Sequence, residues 1–235
     1  YIMYFINPPF GNYLKLPKLR QIKGSYTLEP RKGLFLQIIK TLRYNFEYGA
    51  WTNKIGLRNK GIDYAIKHYN GEIVSIAILN KEDIPKIVKK IPEDMNIEIN
   101  VSCPNAEKSM VDKDIDMFLN NKREWCILKL SPTCKLSAID RYYNMGFRQF
   151  HCSNTIPVAQ GGLSGKALIP YNKKLIKHIN TNFKDTTIIA GGGITDIEDI
   201  IMYKNLGATH FAFSTVLFHP FQFLKLYYQI KKYNI

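Results

Sequence analysis

The sequence predicts an α/β fold, a (β/α)₈ TIM barrel in one domain spanning residues 1–235. Short β-branched or apolar runs alternate with segments of helical period, which is the rhythm of a parallel sheet with crossover helices. With 235 residues the chain can bury one substantial core, and it is near the lower size limit of a one-domain barrel. A doubly wound open sheet is the alternative that this rhythm leaves open.

Eight runs have the composition of strands. In chain order they are YIMYFI, QIKGSYTLE, EIVSIAIL, MNIEINVS, WCILKLS, FRQFHCS, TTIIAGG and THFAFST. Each is short and rich in β-branched or aromatic residues, as expected of strands in a buried sheet. Eight strands are enough to close the barrel.

The segments between the later strands place apolar residues three and four positions apart, which predicts helices. These segments are DKDIDMFLN, LSAIDRYYNMG, YNKKLIKHIN and TDIEDIIMYKNLG, of which the second and fourth end near a glycine suited to a helix C-terminus. The region from Gly11 to Lys23 contains proline and is too short for a helix with its loops. We therefore expect an abbreviated first βα unit.

Composition restricts the class of protein. Apolar residues make up 46% of the chain, but no apolar run approaches the roughly 20 residues that cross a bilayer. The opening YIMYFINPPF has neither a basic leader nor a small-residue cleavage site, so it reads as a first strand. Four cysteines without Cys-x-x-Cys spacing predict no metal site and no disulfide framework. A cytoplasmic protein that makes no membrane contact is expected.

The formal net charge of +14 admits nucleic acid, an anionic surface or phosphate-bearing ligands as partners. The basic residues are nevertheless scattered, as in IVKKIPED and LIKHINTNFKD, where they fall on the expected solvated faces of helices. A nucleic-acid partner is therefore not expected.

Polar residues and glycines follow the predicted strands, where a barrel carries its active site. They are Asn53 in WTNKIGLRNKG, the run NVSCPN from Asn100 to Asn105, Lys129, Asn154 with Thr155, Gly191 to Gly193, and Ser214 with Thr215. A turn alone would need only Gly, Asp or Pro. Two asparagines that bracket a serine, a cysteine and a proline instead indicate a binding or catalytic site.

Eight motifs resemble the dihydroorotate dehydrogenase family, flavoproteins built on this barrel. In family order they are TLEPR, NKIGLRNKG, NVSCPN, LKLSP, SNT, GGLSG, AGGGI and GATHFAFSTVL, which together extend from about Ser25 to Leu217. One such motif is weak evidence, whereas eight in register are specific.

The resemblance implies bound FMN and oxidation of dihydroorotate to orotate in pyrimidine synthesis. Cys103 would be the general base that takes the proton from carbon 5 of the ring, while the hydride from carbon 6 passes to the flavin. A thiol, with a free pKa of roughly 8.5, can be poised for this task near neutrality. Family members that dock on membranes carry serine here, so cysteine implies the soluble class.

The resemblance also implies the two sets of binding residues. Orotate is a flat diamide that needs groups able both to donate and to accept, as asparagine does. The implied substrate-binding residues are Asn53, Gly56, Leu57, Asn100, Asn105, Asn154 and Thr155. The implied FMN-binding residues are Ser25, Asn100, Lys129, Ser153, Gly165, Gly192, Gly193, Ser214 and Thr215. Lys129 would lie near the pyrimidine end of the flavin, and the amides at the helix start after Gly193 would hold its phosphate.

Three regions differ from the family pattern. Gly24 stands where the family has a lysine that contacts flavin and substrate, and Lys23 replaces it only if the strand carries a one-residue bulge. Pro9 to Asn12 stand where small residues normally lie against the flavin. The short connection to GGLSG predicts an open pocket, with glycines that let the backbone approach the flavin.

Two other functions remain open from the sequence. One is a related flavin enzyme acting on uracil or thymine, although that group generally has histidine in place of Asn105. The other is a degenerate barrel that binds anions or nucleic acid. Relatives of the soluble class imply a homodimer and suggest fumarate as electron acceptor, whereas NAD would require an iron–sulfur partner subunit.

Overall fold

The computed structural model describes residues 1–101 and 114–233. Over these residues the strands are β1 (Tyr4–Ile6), β2 (Leu19–Tyr26), β3 (Arg43–Asn45), β4 (Ala50–Asn53), β5 (Ile73–Ala77), β6 (Ile97–Asn100), β7 (Cys126–Lys129), β8 (Gln149–Cys152), β9 (Ile156–Val158), β10 (Gly161–Ser164), β11 (Thr187–Gly191) and β12 (His210–Phe213). The α-helices are α1 (Leu34–Thr41), α2 (Ile62–Lys67), α3 (Asp83–Lys90), α4 (Leu136–Asn144), α5 (Ile169–Asn182), α6 (Ile197–Asn205) and α7 (Pro220–Tyr233).

Eight parallel strands close into a barrel in the order β1-β12-β11-β8-β7-β6-β5-β2. Tyr4 of β1 pairs with Phe211 of β12 on one side and with Leu19 of β2 on the other, so the sheet has no edge. All eight predicted strands are present, and the barrel is confirmed. The closure excludes the open doubly wound sheet.

The barrel interior changes from apolar to polar along its axis. Side chains such as Phe5, Ile73 and Ile127 fill the lower part. Because inward-facing residues recur every second position of a strand, the next inward residue of each of these strands is polar. Asn7 follows Phe5, Ser75 follows Ile73 and Lys129 follows Ile127, at the ends that lead into the mouth.

The first βα unit is abbreviated, as predicted. Between β1 and β2 the described chain forms a 3₁₀ turn, Phe10–Asn12, where a barrel normally has an α-helix. A Cβ atom on Gly11 would lie 2.1 Å from the carbonyl oxygen of Ile22, so the turn packs directly on the β2 backbone. The small size of glycine permits this contact.

One predicted helix is wrong. DKDIDMFLN forms only a 3₁₀ turn, Ile115–Phe118, in its described part, and its first two residues lie outside the described ranges. Ile115 and Phe118 are buried, so the spacing of three reflects one turn docked on the core. The backbone is left-handed at Asp114 and extended at Leu119, which ends the turn on both sides. The other three predicted helices are confirmed as α4, α5 and α6.

A second, antiparallel sheet has the order β3-β4-β10-β9. Its strands come from two excursions of the chain, one between β2 and β5 and one between β8 and α5. Leu163 of β10 pairs with Thr52 of β4, joining the two excursions. Among the described residues no helix is long and apolar enough to cross a membrane.

Candidate active site

A cleft of about 410 Å³, counted with its opening to solvent, lies at the carboxyl ends of the barrel strands. Its described lining comprises Asn7, Pro8, Lys129, Ser153, Asn154, Thr155, Ser164, Gly165, Leu168, Gly192, Ser214 and Thr215. Eight of the predicted binding residues are in this set, although they come from separate motifs. Lys129 is the one charged side chain among the described lining residues.

Two predicted substrate asparagines meet at this mouth. The Nδ2 atom of Asn154 donates a hydrogen bond of 3.2 Å to Oδ1 of Asn100, which is buried at the end of β6. The backbone amide of Thr155 donates to Oδ1 of Asn154 at 2.9 Å. These contacts fix the orientation of both amides, and so prepare the pair to recognise a ligand with both donors and acceptors.

Ser153 is held by a buried asparagine that the sequence analysis missed. Its Oγ atom donates to Oδ1 of Asn172 at 2.6 Å, and Nδ2 of Asn172 donates to the carbonyl oxygen of Gly191 at 2.8 Å. Asn172 lies on α5 with no exposed surface. It therefore joins the ends of β8 and β11 beneath the cleft.

Lys129 has a buried counter-ion. Its Nζ atom lies 3.5 Å from Oε1 of Glu98, which also accepts from Ser75 Oγ at 2.8 Å. Burial acts to raise the pKa of the Glu98 carboxyl, but Lys129, His151 and the hydrogen bond from Ser75 bring it down to about 2. Glu98 is therefore ionised, and its charge holds the Lys129 ammonium at the floor of the cleft.

Three of the four predicted phosphate-binding residues line the cleft, and the fourth does not. Gly192, Ser214 and Thr215 line the cleft, and the φ of +103° at Gly192 suits glycine. Gly193 adjoins this lining without belonging to it.

The start of α6 is not the open anion site that the sequence analysis expected. Asp196 Oδ1 accepts from the amide of Asp199 at 3.0 Å, and Asp199 Oδ2 accepts from the amide of Thr195 at 2.8 Å. These two amides are therefore already satisfied by carboxylates, and Nζ of Lys166 lies 3.7 Å from both Asp196 Oδ2 and Asp199 Oδ2.

Ser25 lies beneath the cleft, in contact with the buried polar layer. Its Oγ atom is 2.9 Å from Oγ of Ser75. The pairing of β2 with β5 shifts register between Lys23 and Tyr26, so a bulge is present. Lys23 nonetheless pairs with Glu72, at the amino end of β5, with a distance of 3.1 Å. The bulge therefore does not bring Lys23 into the cleft.

Asn53, Gly56 and Leu57 are not at the end of a barrel strand, where the sequence analysis put Asn53. Asn53 ends β4 of the second sheet, and its Oδ1 accepts from the amide of Ile55 at 3.4 Å. Gly56 and Leu57 follow in a loop with φ values of +66° and +55°. None of the three is among the described residues that line the cleft.

The glycines of GGLSG have a different role from the expected approach to the flavin. A Cβ atom on Gly161 would lie 2.1 Å from the carbonyl oxygen of Asn53, and one on Gly162 would lie 2.4 Å from Oγ1 of Thr155. These glycines allow close pairing within the second sheet. Of the three glycines in this motif, Gly165 is the one that lines the described cleft, beside Ser164.

Cys103 and Asn105 lie outside the described residues. Among the cysteines that the structure describes, Cys126 and Cys152 are free thiols. Burial raises the pKa of Cys126 to about 12 and raises that of Cys152 as well. These two thiols are therefore protonated near neutral pH and behave as small apolar side chains.

Asn7, Glu98 and His151 were also missed by the sequence analysis. All three lie in or directly after a strand run, and Glu98 occupies every-second-residue register with Asn100 in NIEIN. That register was the available signal, because it places a carboxylate inside the barrel directly below a predicted site residue.

Comparison with known proteins shows the family. The family model described as dihydroorotate dehydrogenase matches residues 116–233. The chain belongs to the dihydroorotate dehydrogenase family. The match covers α4 to α7 together with Lys129, Asn154, Gly192 and Ser214 of the cleft.

Relatives in this family are distant and match over most of their length. The protein of Alkaliphilus metalliredigens named dihydroorotate dehydrogenase B (NAD(+)), catalytic subunit, is 28% identical over 89% of this chain and 79% of its own. The protein of the same name from Desulforamulus reducens is 26% identical over 95% of this chain and 84% of its own.

Solved structures support the fold. The ligand-free dihydroorotate dehydrogenase of Eimeria tenella superposes with a TM-score of 0.73 and 15% identity over 97% of this chain and 84% of that one. The complex of the Eimeria tenella enzyme with ferulenol gives 0.66 and 17% identity over 92% and 76%.

Proposed function

We propose that this protein oxidises dihydroorotate to orotate, with FMN bound in the cleft at the barrel mouth, as a step of pyrimidine synthesis. The observation that carries the proposal is the convergence of Lys129, Asn154 with its partner Asn100, and the Ser214–Thr215 pair on one cleft, from positions spread over about half of the chain. The family membership and the names of the relatives support the same reaction.

The cleft suits a flavin nucleotide. A Cβ atom on Gly192 would lie 2.6 Å from Leu168, so backbone forms this wall. Asn7 Oδ1 is buried in the lining without a hydrogen-bond partner among the described residues, as expected of a group that a ligand satisfies.

Each residue has a defined part in the proposed reaction. When bound, FMN supplies the acceptor for two electrons, arriving as a hydride from carbon 6 of dihydroorotate. Cys103, the base that the resemblance of NVSCPN implies, takes the proton from carbon 5, so that the double bond of orotate forms between the two carbons. Asn100 and Asn154 bind the ring, and Lys129 places positive charge where it stabilises the reduced flavin.

We further infer that the electrons leave through a partner subunit to NAD⁺. The relatives carry NAD(+) and catalytic subunit in their names, which favours this route over fumarate. Reduction of NAD⁺ by the isolated chain would contradict the need for a partner. A homodimer and a cytoplasmic location remain predictions.

The test is the absorbance spectrum of the purified protein, recorded anaerobically before and after addition of dihydroorotate. We expect a flavin band near ~450 nm that bleaches, and bleaching slowed about 100-fold or more in Cys103→Ala near neutral pH. Cys134→Ala is the matched control, because this thiol lies in the loop after β7 and outside the cleft lining, and it should bleach normally.

The other outcomes separate the alternatives. Bleaching by dihydrouracil or dihydrothymine in place of dihydroorotate would move the substrate to another pyrimidine. A protein that binds no flavin even when FMN is supplied would refute the proposed function.

A further inference from the structure

A layer of buried polar side chains lies directly below the cleft. Glu98, with no exposed surface, is at its centre. Its Oε2 atom is 2.6 Å from Nδ1 of His151, which is also fully buried, while Oε1 faces Lys129 and Ser75. The family motifs do not include His151, and the proposed reaction leaves it without a role.

The protonation of this pair follows from its surroundings. Burial, and then the charge of Lys129, lower the pKa of His151, so the imidazole is neutral near pH 7. An ionised carboxylate only accepts hydrogen bonds, so Nδ1 of His151 must carry the proton that is donated to Glu98. The other nitrogen, Nε2, is then a bare acceptor.

This tautomer sets the orientation of Asn7. Nε2 of His151 faces Nδ2 of Asn7 at 3.5 Å, and an acceptor there requires the NH₂ side of the amide. The carbonyl side, Oδ1, is then turned away from the ring. Asn7 is 6% exposed and lines the cleft, and its Oδ1 has no hydrogen-bond partner among the described residues.

Gly191 shows how tightly the imidazole is held. A Cβ atom on Gly191 would lie 2.4 Å from Nε2 of His151. The ring is therefore confined between β11 and Glu98, which limits the orientations available to Asn7.

We propose that Asn7 is a cofactor-binding residue and that His151 is its positioning residue. Held by Glu98, His151 presents Oδ1 of Asn7 to the cleft as an acceptor for an N–H or O–H group of the bound flavin. The inference rests on the proposed function, since it takes the cleft to be the FMN site. Neither residue acts on the substrate in this scheme.

The test is a double-mutant cycle read out as FMN affinity. Asn7→Leu removes the acceptor at similar volume and leaves the Glu98–His151 pair intact. His151→Asn retains a donor toward Glu98 but is too short to reach Asn7. Release of FMN on dilution of the holoprotein is followed by flavin fluorescence, and thermal unfolding establishes that each variant is folded.

We expect each single variant to bind FMN about 3- to 10-fold more weakly, the range of one neutral hydrogen bond. The double variant should bind no more weakly than the weaker single one, because both changes remove the same contact. His210→Asn is the matched control, since His210 lies on β12 against the backbone of Met3 and Thr209, at the opposite end of the barrel. Its FMN affinity should equal that of the wild type.

Four results would overturn the proposal. They are additive losses in the double variant, unchanged FMN affinity in Asn7→Leu, unchanged FMN affinity in a folded His151→Asn, and a change confined to the KM for dihydroorotate. If His151→Asn does not fold, Asn7→Leu decides alone. A wild-type protein that binds no FMN refutes the proposed function instead, so the two failures are distinguishable.

Discussion

At the scale of single residues, Gly24 explains why this chain lacks the lysine expected from the family pattern. Its φ is +127°, and a Cβ atom there would lie 2.4 Å from the carbonyl oxygen of Ser75. The side-chain amide of Asn12 bonds both the amide and the carbonyl of Gly24, which holds this conformation. With this backbone no side chain fits at position 24, and a lysine there would not be accommodated. Lys129 is then the cation among the described residues that line the cleft.

Gly24→Ala is therefore expected to destabilise the barrel strongly. A positive φ costs an alanine about 1–3 kcal/mol, and forced overlap with backbone adds roughly 1–3 kcal/mol. Gly71→Ala is the control, because Gly71 has a φ of +84° with nothing within 4 Å of an added Cβ. Urea unfolding measures both variants, and an equal loss of unfolding free energy would contradict the steric argument.

The predictability of the site residues differs for a physical reason. Lys129, Asn100 and Asn154 each close a strand run, so their place at the mouth followed from the barrel alone. Asn7 and His151 are single residues whose roles depend on contacts between β1 and β8, strands that are not neighbours in the barrel. No local pattern encodes such a contact.

At the scale of elements, the second sheet is attached to the barrel mouth by aromatic side chains. Trp51 of β4 stacks on Phe218 with ring centroids 4.5 Å apart, and Phe10 meets Phe218 edge-on at 5.0 Å. This sheet was not predicted, whereas the eight barrel strands were. Its strands have only three or four residues, which is too short for a clear hydrophobic pattern. It also pairs Trp51 with Ser164, residues so far apart in the chain that no local sequence pattern could reveal the contact.

Phe218→Ala is expected to loosen this attachment. Loss of the stack exposes Trp51, so its fluorescence should shift to the red, and proteases should cleave the excursion between β2 and β5 faster. A Trp125→Phe background isolates the signal, because the chain has two tryptophans. Phe221→Ala, at a side chain that is 87% exposed, is the control. An unchanged emission maximum in Phe218→Ala would show that the stack does not hold the sheet.

At the scale of the whole molecule, the folded barrel buries His151 as a neutral imidazole and Glu98 as a carboxylate, and acid would protonate both. Among the residues that the structure describes, the charged groups that act on His151 are Glu98 and Lys129. A buried neutral histidine and a buried carboxylate both favour folding only while the surrounding pH leaves them in those states. The stability of the barrel should therefore be linked to pH through residues below the cleft.

The sign of that linkage gives a prediction for acid unfolding. The pKa of His151 is lowered by burial and then by Lys129, so below about pH 6.5 His151 binds a proton in the unfolded chain but stays neutral in the folded barrel. The free energy of unfolding therefore decreases as the pH is lowered, by at most about 1.4 kcal/mol per pH unit for this group. Glu98, with a pKa of about 2, adds a second loss as the pH falls from roughly 4.5 toward 2.

His151→Asn should remove the first of these losses. Urea unfolding at pH 7.5, 6.5, 5.5 and 4.5 should show a shallower fall in unfolding free energy for His151→Asn than for the wild type below pH 6.5. His210→Asn is the comparison, because burial lowers the pKa of His210 as well, at the lower end of the barrel. This variant should also reduce the dependence of the unfolding free energy on pH, separately from the effect of His151→Asn. A His151→Asn curve parallel to that of the wild type would mean that His151 is already protonated in the folded barrel, which would reverse the orientation deduced for Asn7.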